Sequence, residues 1–170
     1  SYPTRTVSSG GRYWFDDDQE TPDVLSTCFE FEGGKQATFD ILSCNRHPPG
    51  YFAAFFGDDG TLELDANGIY RIFDRSDKQI EVGDQKSSGD VEHLQNFVDA
   101  IRAEDSSRLN QPILEGHKST LLCHLGNIAY RTGRTVQTDP ATGRLVGDDA
   151  EQHALWQREY EPSWVEAVSM

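Results

Sequence analysis

His117, His124 and Arg131 recur at heptad spacing in a stretch that is otherwise poor in charge, and Thr120 and Asn127 fall on the same side of the helix this spacing implies. Imidazole can give, take or share a proton. A carboxamide and a guanidinium can fix hydroxyl or carboxylate oxygens. Such a stripe can line a cleft for a polar ligand, with His124 and Asn127 foremost and His117 and Arg131 behind them. The competing reading is structural: His124 bonded to a neighbouring strand, and Arg131 closing an ion pair at the helix end.

The densest carboxylate cluster is Asp16-Asp17-Asp18 with Glu20 and Asp23. Its spacing is not that of a calcium loop, so it reads as a solvated loop. Beside it stand Tyr13, Trp14 and Phe15. Three adjacent aromatics cannot all enter one core, so at least one is expected to face a partner domain, a subunit or a sugar ring. Cys28, Cys44 and Cys123 lie in apolar context and read as buried free thiols. No Cys-x-x-Cys or His-x-x-x-His pair accompanies them, so no metal site is expected.

Lys and Arg number 15 against 29 Asp and Glu, a formal charge of -14 that would repel a phosphate backbone and makes nucleic acid an unsuitable partner. The excess of Asp over Lys suits solubility and is compatible with a salty environment. No stretch approaches the roughly 20 apolar residues of a membrane span. The 170 residues read as a single domain spanning 1–170, and the opening Ser-Tyr-Pro-Thr-Arg-Thr-Val reads as entry into a strand, as though cut from a longer protein.

The stripe needs a helix, and Leu114, Leu121, Leu125, Ile128 and Ala129 predict one from about Leu114 to Thr132, with these residues forming an apolar face beside the polar one. Gly126 costs the helix interior about 1 kcal/mol relative to Ala, which predicts a close packing contact at that point. Gly133 should end the helix, with Arg131 and Arg134 near its last carbonyls. Ahead of it, Thr4–Ser9, Val24–Phe31, Gln36–Cys44, Phe52–Phe56, Thr61–Leu64 and Ile69–Phe73 predict an antiparallel meander of five or six strands, with Gly33-Gly34 as a hairpin turn. After a polar stretch from Asp74 to Gly89, Asp90 should cap a helix carrying Val91, Leu94, Phe97, Val98 and Ile101 on its apolar face. Thr135–Thr138 suggests a short strand, Gly147-Asp148-Asp149 a short last helix, and Trp164 should dock on the body. Strands first and helices later predict an α+β class: an open, mainly antiparallel sheet with helices packed on one face, the other face being free to pair subunits.

Several segments carry a family resemblance. His93–Arg102, Pro112–Thr120 and His124–Arg131 do so, followed by Asp139-Pro140 and Val146–Ala150. Gly11–Phe15, Pro22-Asp23 and Gly57–Leu62 fit earlier in the chain. In order and spacing they resemble the C-terminal domain of the Gfo/Idh/MocA oxidoreductases, especially the bacterial planctomycete-type members. Thr138 departs from that pattern, standing where a Trp often precedes Asp-Pro.

The resemblance implies an enzyme in which an N-terminal Rossmann domain of the same polypeptide binds NAD or NADP. The C-terminal domain would then close the substrate pocket and mediate homo-oligomerisation through its open sheet face. No Gly-x-Gly-x-x-Gly follows a strand here. The family's catalytic lysine and Asp/His acid–base motif are expected upstream of Ser1. No catalytic or cofactor-binding residue is therefore expected within 1–170, and the domain is expected to be inactive alone. The implied reaction is hydride transfer from a hydroxyl-bearing carbon of a sugar or cyclitol, with His117, His124, Asn127 and Arg131 as the pocket residues of this half. Alternatives are an NAD-dependent glycosidase of the same superfamily and a non-catalytic oligomerisation or carbohydrate-binding module. The implied compartment is the cytoplasm or periplasm, with a lean to the cytoplasm.

Overall fold

A computed structural model describes residues 1–44, 50–84, 89–157, 161 and 164. The chain divides into two compact units, Ser1–Cys44 with Ile113–Met170, and Asn45–Pro112.

The first unit is built on strands β1 (Arg5–Gly11), β2 (Val24–Phe31) and β3 (Lys35–Leu42). All pair antiparallel. The β2–β3 hairpin turns where expected, because Gly33 and Gly34 take φ of 74° and 70°, a region that costs glycine nothing. Alternation divides the sheet into two faces. Thr6 pairs with Phe29 and Ser8 with Thr27, and these four residues share the face that meets the long helix. Of these, Thr6, Thr27 and Phe29 are buried.

The helix predicted around Leu114–Thr132 runs over Ile113–Thr132 and is the second in chain order, α2. Leu121, Leu125, Ile128 and Ala129 are buried as predicted, whereas Leu114, in the first turn, is exposed. They join Tyr2 and Val136 in the core. At Gly126 the helix backbone rests on the sheet. The Ser8 hydroxyl donates to the Gly126 carbonyl at 2.9 Å and lies 2.9 Å from the Thr27 hydroxyl. A Cβ at Gly126 would sit 3.3 Å from Thr27 side-chain atoms, so the expected close contact is present.

Past Thr132, Gly133 turns the chain at φ 62°, and Val136–Gln137 forms a short strand on the free side of β1, giving the sheet order β3-β2-β1-β8. Thr138, the departure from the family pattern, is buried, and its hydroxyl donates to the Pro3 carbonyl at 2.6 Å. The last helix, α3 (Ala150–Trp156), packs on α2. Trp164, expected to dock, is 62% exposed.

The second unit holds β4 (Ala53–Phe56), β5 (Gly60–Leu64), β6 (Ile69–Asp74) and β7 (Gln79–Asp84), an antiparallel meander. The single meander of five or six strands is thus replaced by two four-stranded sheets, and β7 lies within the stretch read as merely polar. Its alternating Ile80 and Val82 are exposed, so it gains its ladder hydrogen bonds with little burial. Helix α1 (Asp90–Arg102) forms over the predicted residues, but Gly89, not Asp90, occupies its N-cap position. Its apolar residues Val91, Leu94, Phe97 and Ile101 face solvent, and Ala100 is buried. The Asn96 carboxamide ties it to a 3-10 turn at Ser106–Arg108, donating to the Arg108 carbonyl and accepting from the Asn110 N–H. The class is α+β with open antiparallel sheets, and α2 is the helix seen lying on a sheet face.

Replacing Gly126 by Leu should lower stability by about 1–3 kcal/mol, because the added atoms must displace Thr27 or lift the helix off Ser8. Equilibrium urea unfolding measures this, and a variant as stable as the parent would contradict the contact.

Candidate functional site

The four predicted pocket residues all lie on α2, and the structure gives them different surroundings. His117 is exposed, with its ring edge-on to Tyr2 at a centroid distance of 6.0 Å. His124 is half-buried, and its Nε2 lies 3.0 Å from the Trp156 carbonyl. A carbonyl only accepts, so Nε2 carries the proton and donates. The His124 ring also lies against the Trp156 indole, 5.8 Å between centroids. The partner is the end of α3, where a strand had been expected. Asn127 and Arg131 are exposed.

Helix α3 is held by a device that the sequence reading missed. Asp149 caps its N-terminus, accepting from the N–H groups of Glu151 and Gln152 at 3.1 and 3.2 Å. Arg134 clamps the same turn, donating to Asp149 at 2.7 Å and to Glu151 at 2.7 Å. The Arg134 bond, helped by the backbone donors, holds the Asp149 carboxyl below the usual carboxylate range. Arg134 therefore serves α3, and the role expected for it at the α2 carbonyls is not the one observed.

On the sheet face away from α2, side chains form cross-strand rows: Val7, Cys28 and Thr38, then Ser9, Ser26 and Asp40. These rows floor a shallow open concavity of about 280 Å³. Arg5 and Glu30 make a two-pronged ion pair in the adjoining row. Cys28 and Cys44 are free but only half-buried, and Cys123 is exposed, which corrects the expectation of buried thiols. Among the described residues no group of three His, Cys, Asp or Glu could hold a metal ion.

The loop between β1 and β2 is more organised than its composition suggests. Asp23, read as part of a solvated acidic loop, is only 2% exposed. Its carboxylate accepts from the N–H groups of Tyr13 at 2.9 Å, Trp14 at 2.8 Å and Phe15 at 3.0 Å. The bonds from Phe15 and Tyr13 are the largest influences on its carboxyl, holding it below the usual range. Arg12 fixes the other side, donating to the carbonyls of Phe15, Asp17 and Gln19 and to the Asp17 carboxylate. An Asp directly after Pro at a strand entrance was the available signal, and the neighbouring run of acids masked it.

The first unit is thus an antiparallel sheet crossed by a long helix, with His117, Asn127 and Arg131 exposed on that helix. Residues 60–165, more than half of the chain, match the model of the Gfo/Idh/MocA oxidoreductase family, C-terminal alpha/beta domain. The chain belongs to that family. Its fold is similar to UDP-N-acetylglucosamine 3-dehydrogenase GnnA from Acidithiobacillus ferrooxidans, with a TM-score of 0.61 and 16% identity over 77% of this chain and 41% of that one. It is also similar to an oxidoreductase from Agrobacterium radiobacter solved with NAD+, L-tartaric acid and magnesium, with a TM-score of 0.59 and 12% identity over 80% of this chain and 43% of that one. The matched region thus spans less than half the length of these solved relatives. No curated protein matches the chain. Among the described residues no helix is long and apolar enough to cross a membrane.

The Asp23 carboxyl titrates below its ordinary value of about 3.9, so the order it gives the loop is complete above about pH 5 and is lost as pH falls through the lower folded-state value. Amide-exchange protection at Tyr13, Trp14 and Phe15 should follow that course and be missing at all pH in Asp23→Ala, which removes the acceptor. Protection that persists in this variant would refute the assignment.

Proposed function

We propose that residues 1–170 form the substrate-side domain of an NAD(P)-dependent oxidoreductase acting on a hydroxyl of a sugar or cyclitol. In this reading a Rossmann domain of the same polypeptide holds the nicotinamide, and the domain is inactive alone. The observation that carries the proposal is the match of residues 60–165 to a domain that, in this family, is the C-terminal part of oxidoreductases. The solved relatives support it through their names: one is a dehydrogenase of UDP-N-acetylglucosamine, and the other was solved with NAD+ and the hydroxyl-bearing L-tartaric acid.

The residues present do not fit the dinucleotide. The formal charge is -14, which opposes a diphosphate, and no Gly-x-Gly-x-x-Gly turn follows a strand. No step is therefore assigned to a nicotinamide on this chain. Its contribution is binding and orientation. The exposed Asn127 carboxamide can both donate to and accept from a hydroxyl, and the exposed Arg131 and His117 can donate to the ligand's oxygens. His124 takes a supporting part, since its Nε2–H is used by the Trp156 carbonyl and the bond fixes α3 against the same stripe. The sheet face opposite α2, with its rows of short side chains around the concavity, is the surface through which two copies pair.

The test is a polypeptide in which this chain is joined to its upstream half, assayed for sugar-dependent reduction of the nicotinamide. Asn127→Ala and Arg131→Ala should each raise KM for the sugar by about tenfold, the worth of one hydrogen bond at the upper end of its range, and leave KM for the nicotinamide unchanged. Sugar KM values unchanged in both variants would remove these residues from the pocket, and aglycone release without net cofactor reduction would replace the oxidoreductase by a glycosidase. In light scattering the 170-residue chain should run as a dimer or larger, and a monomer at high concentration would defeat pairing through the sheet.

A further inference from the structure

The Tyr13-Trp14-Phe15 loop has no part in the function proposed above, and solvation does not explain it. Tyr13 is 71%, Trp14 74% and Phe15 43% exposed. Aromatics this open in succession would suit a slack loop, yet this one is tied from both sides. Asp23 binds the three N–H groups from beneath, and Arg12 holds three carbonyls and Asp17 along its length. The Tyr13 ring lies over Gly11, where a Cβ would come within 2.7 Å of it, so glycine is required for the ring's position. The ordering cost of presenting these rings is met within the free protein, as in a surface prepared for binding.

Charge selects the occupant. Asp17 is paired with Arg12, while Asp16, Asp18 and Glu20 are exposed and make no ion pair with the described residues. The whole chain carries -14, so nucleic acid and an anionic membrane are both opposed by the field. Guanidinium and ammonium groups are attracted both by the negative faces of Trp and Tyr and by the unpaired carboxylates. We infer that the loop from Arg12 to Asp23 is a preformed docking platform for a basic, arginine- or lysine-bearing segment of a partner protein.

The 170-residue chain can be titrated with a fluorescent peptide of alternating Gly and Arg at physiological salt, with a Gly-Glu peptide and maltopentaose as comparisons. The arginine peptide should bind and the other two should not. Tyr13→Ala with Trp14→Ala leaves charge unchanged and should weaken binding about fivefold or more, from the loss of two cation–π contacts. Asp16→Asn, Asp18→Asn and Glu20→Gln together should weaken it as much, while Asp58→Asn, Asp59→Asn and Asp77→Asn, which remove equal charge elsewhere, should leave it within about twofold. All the substituted residues are exposed, so each variant should fold, and circular dichroism checks this. Undiminished binding in the aromatic variant, or equal loss in the distant acidic control, would reduce the effect to general attraction and overturn the proposal. Binding of maltopentaose in place of the arginine peptide would overturn it in favour of a sugar platform, and self-association abolished by Trp14→Ala would overturn it in favour of a second copy.

Discussion

The first unit depends on one close approach, the passage of α2 over β1 and β2 at Gly126. Ser8, Thr27 and Gly126 are all small, and the missing Cβ lets helix backbone and sheet side chains meet within hydrogen-bonding distance. Once that point is set, the rotation of the helix is set with it. Leu125 and Ile128, on either side, are driven to 0% and 1% exposure, and the opposite side of the helix must face outward. The exposure of His117, Asn127 and Arg131 follows from that packing as directly as from their own polarity.

A second principle governs the connections. Asp23 and Asp149 each receive several backbone N–H groups, and Arg12 and Arg134 each bridge several acceptors. Backbone donors and acceptors outside the sheets must still find partners, and in a chain so rich in carboxylates a few of these acids and their arginines supply them. Two segments without long regular structure, the loop after β1 and the turn before α3, gain defined positions in this way. In both, the depression of the aspartate's titration is the electrostatic counterpart of the same hydrogen bonds.

Membership of the Gfo/Idh/MocA family gives the exposed surfaces a context. The side of α2 that carries Asn127 and Arg131 and the concave face behind the first sheet are both free in the chain by itself. Phe39, Phe55 and Phe56, on strands of the two sheets, and Phe52, just before β4, are also exposed.

Local periodicity made much of this legible beforehand. The alternation of Val24–Phe31, the Gly33-Gly34 turn, the apolar phase of α2 and the packing role of Gly126 all depend on residues a few positions apart, where pattern and structure share one period. Other features depended on which distant groups meet. Gln79–Asp84 became a strand because β6 offered it a ladder, although its composition reads as polar. Asp23 was buried by three N–H groups eight to ten residues away, and His124 was engaged by a carbonyl 32 residues downstream. Sequence alone determined the α+β class and the apolar phase of α2, because those are written in spacing, and the order of its motifs carried the resemblance to the family. Tertiary structure alone decided which polar side chains are consumed internally and which remain open to a ligand, because hydrogen-bond partners are chosen across the fold and not along the chain.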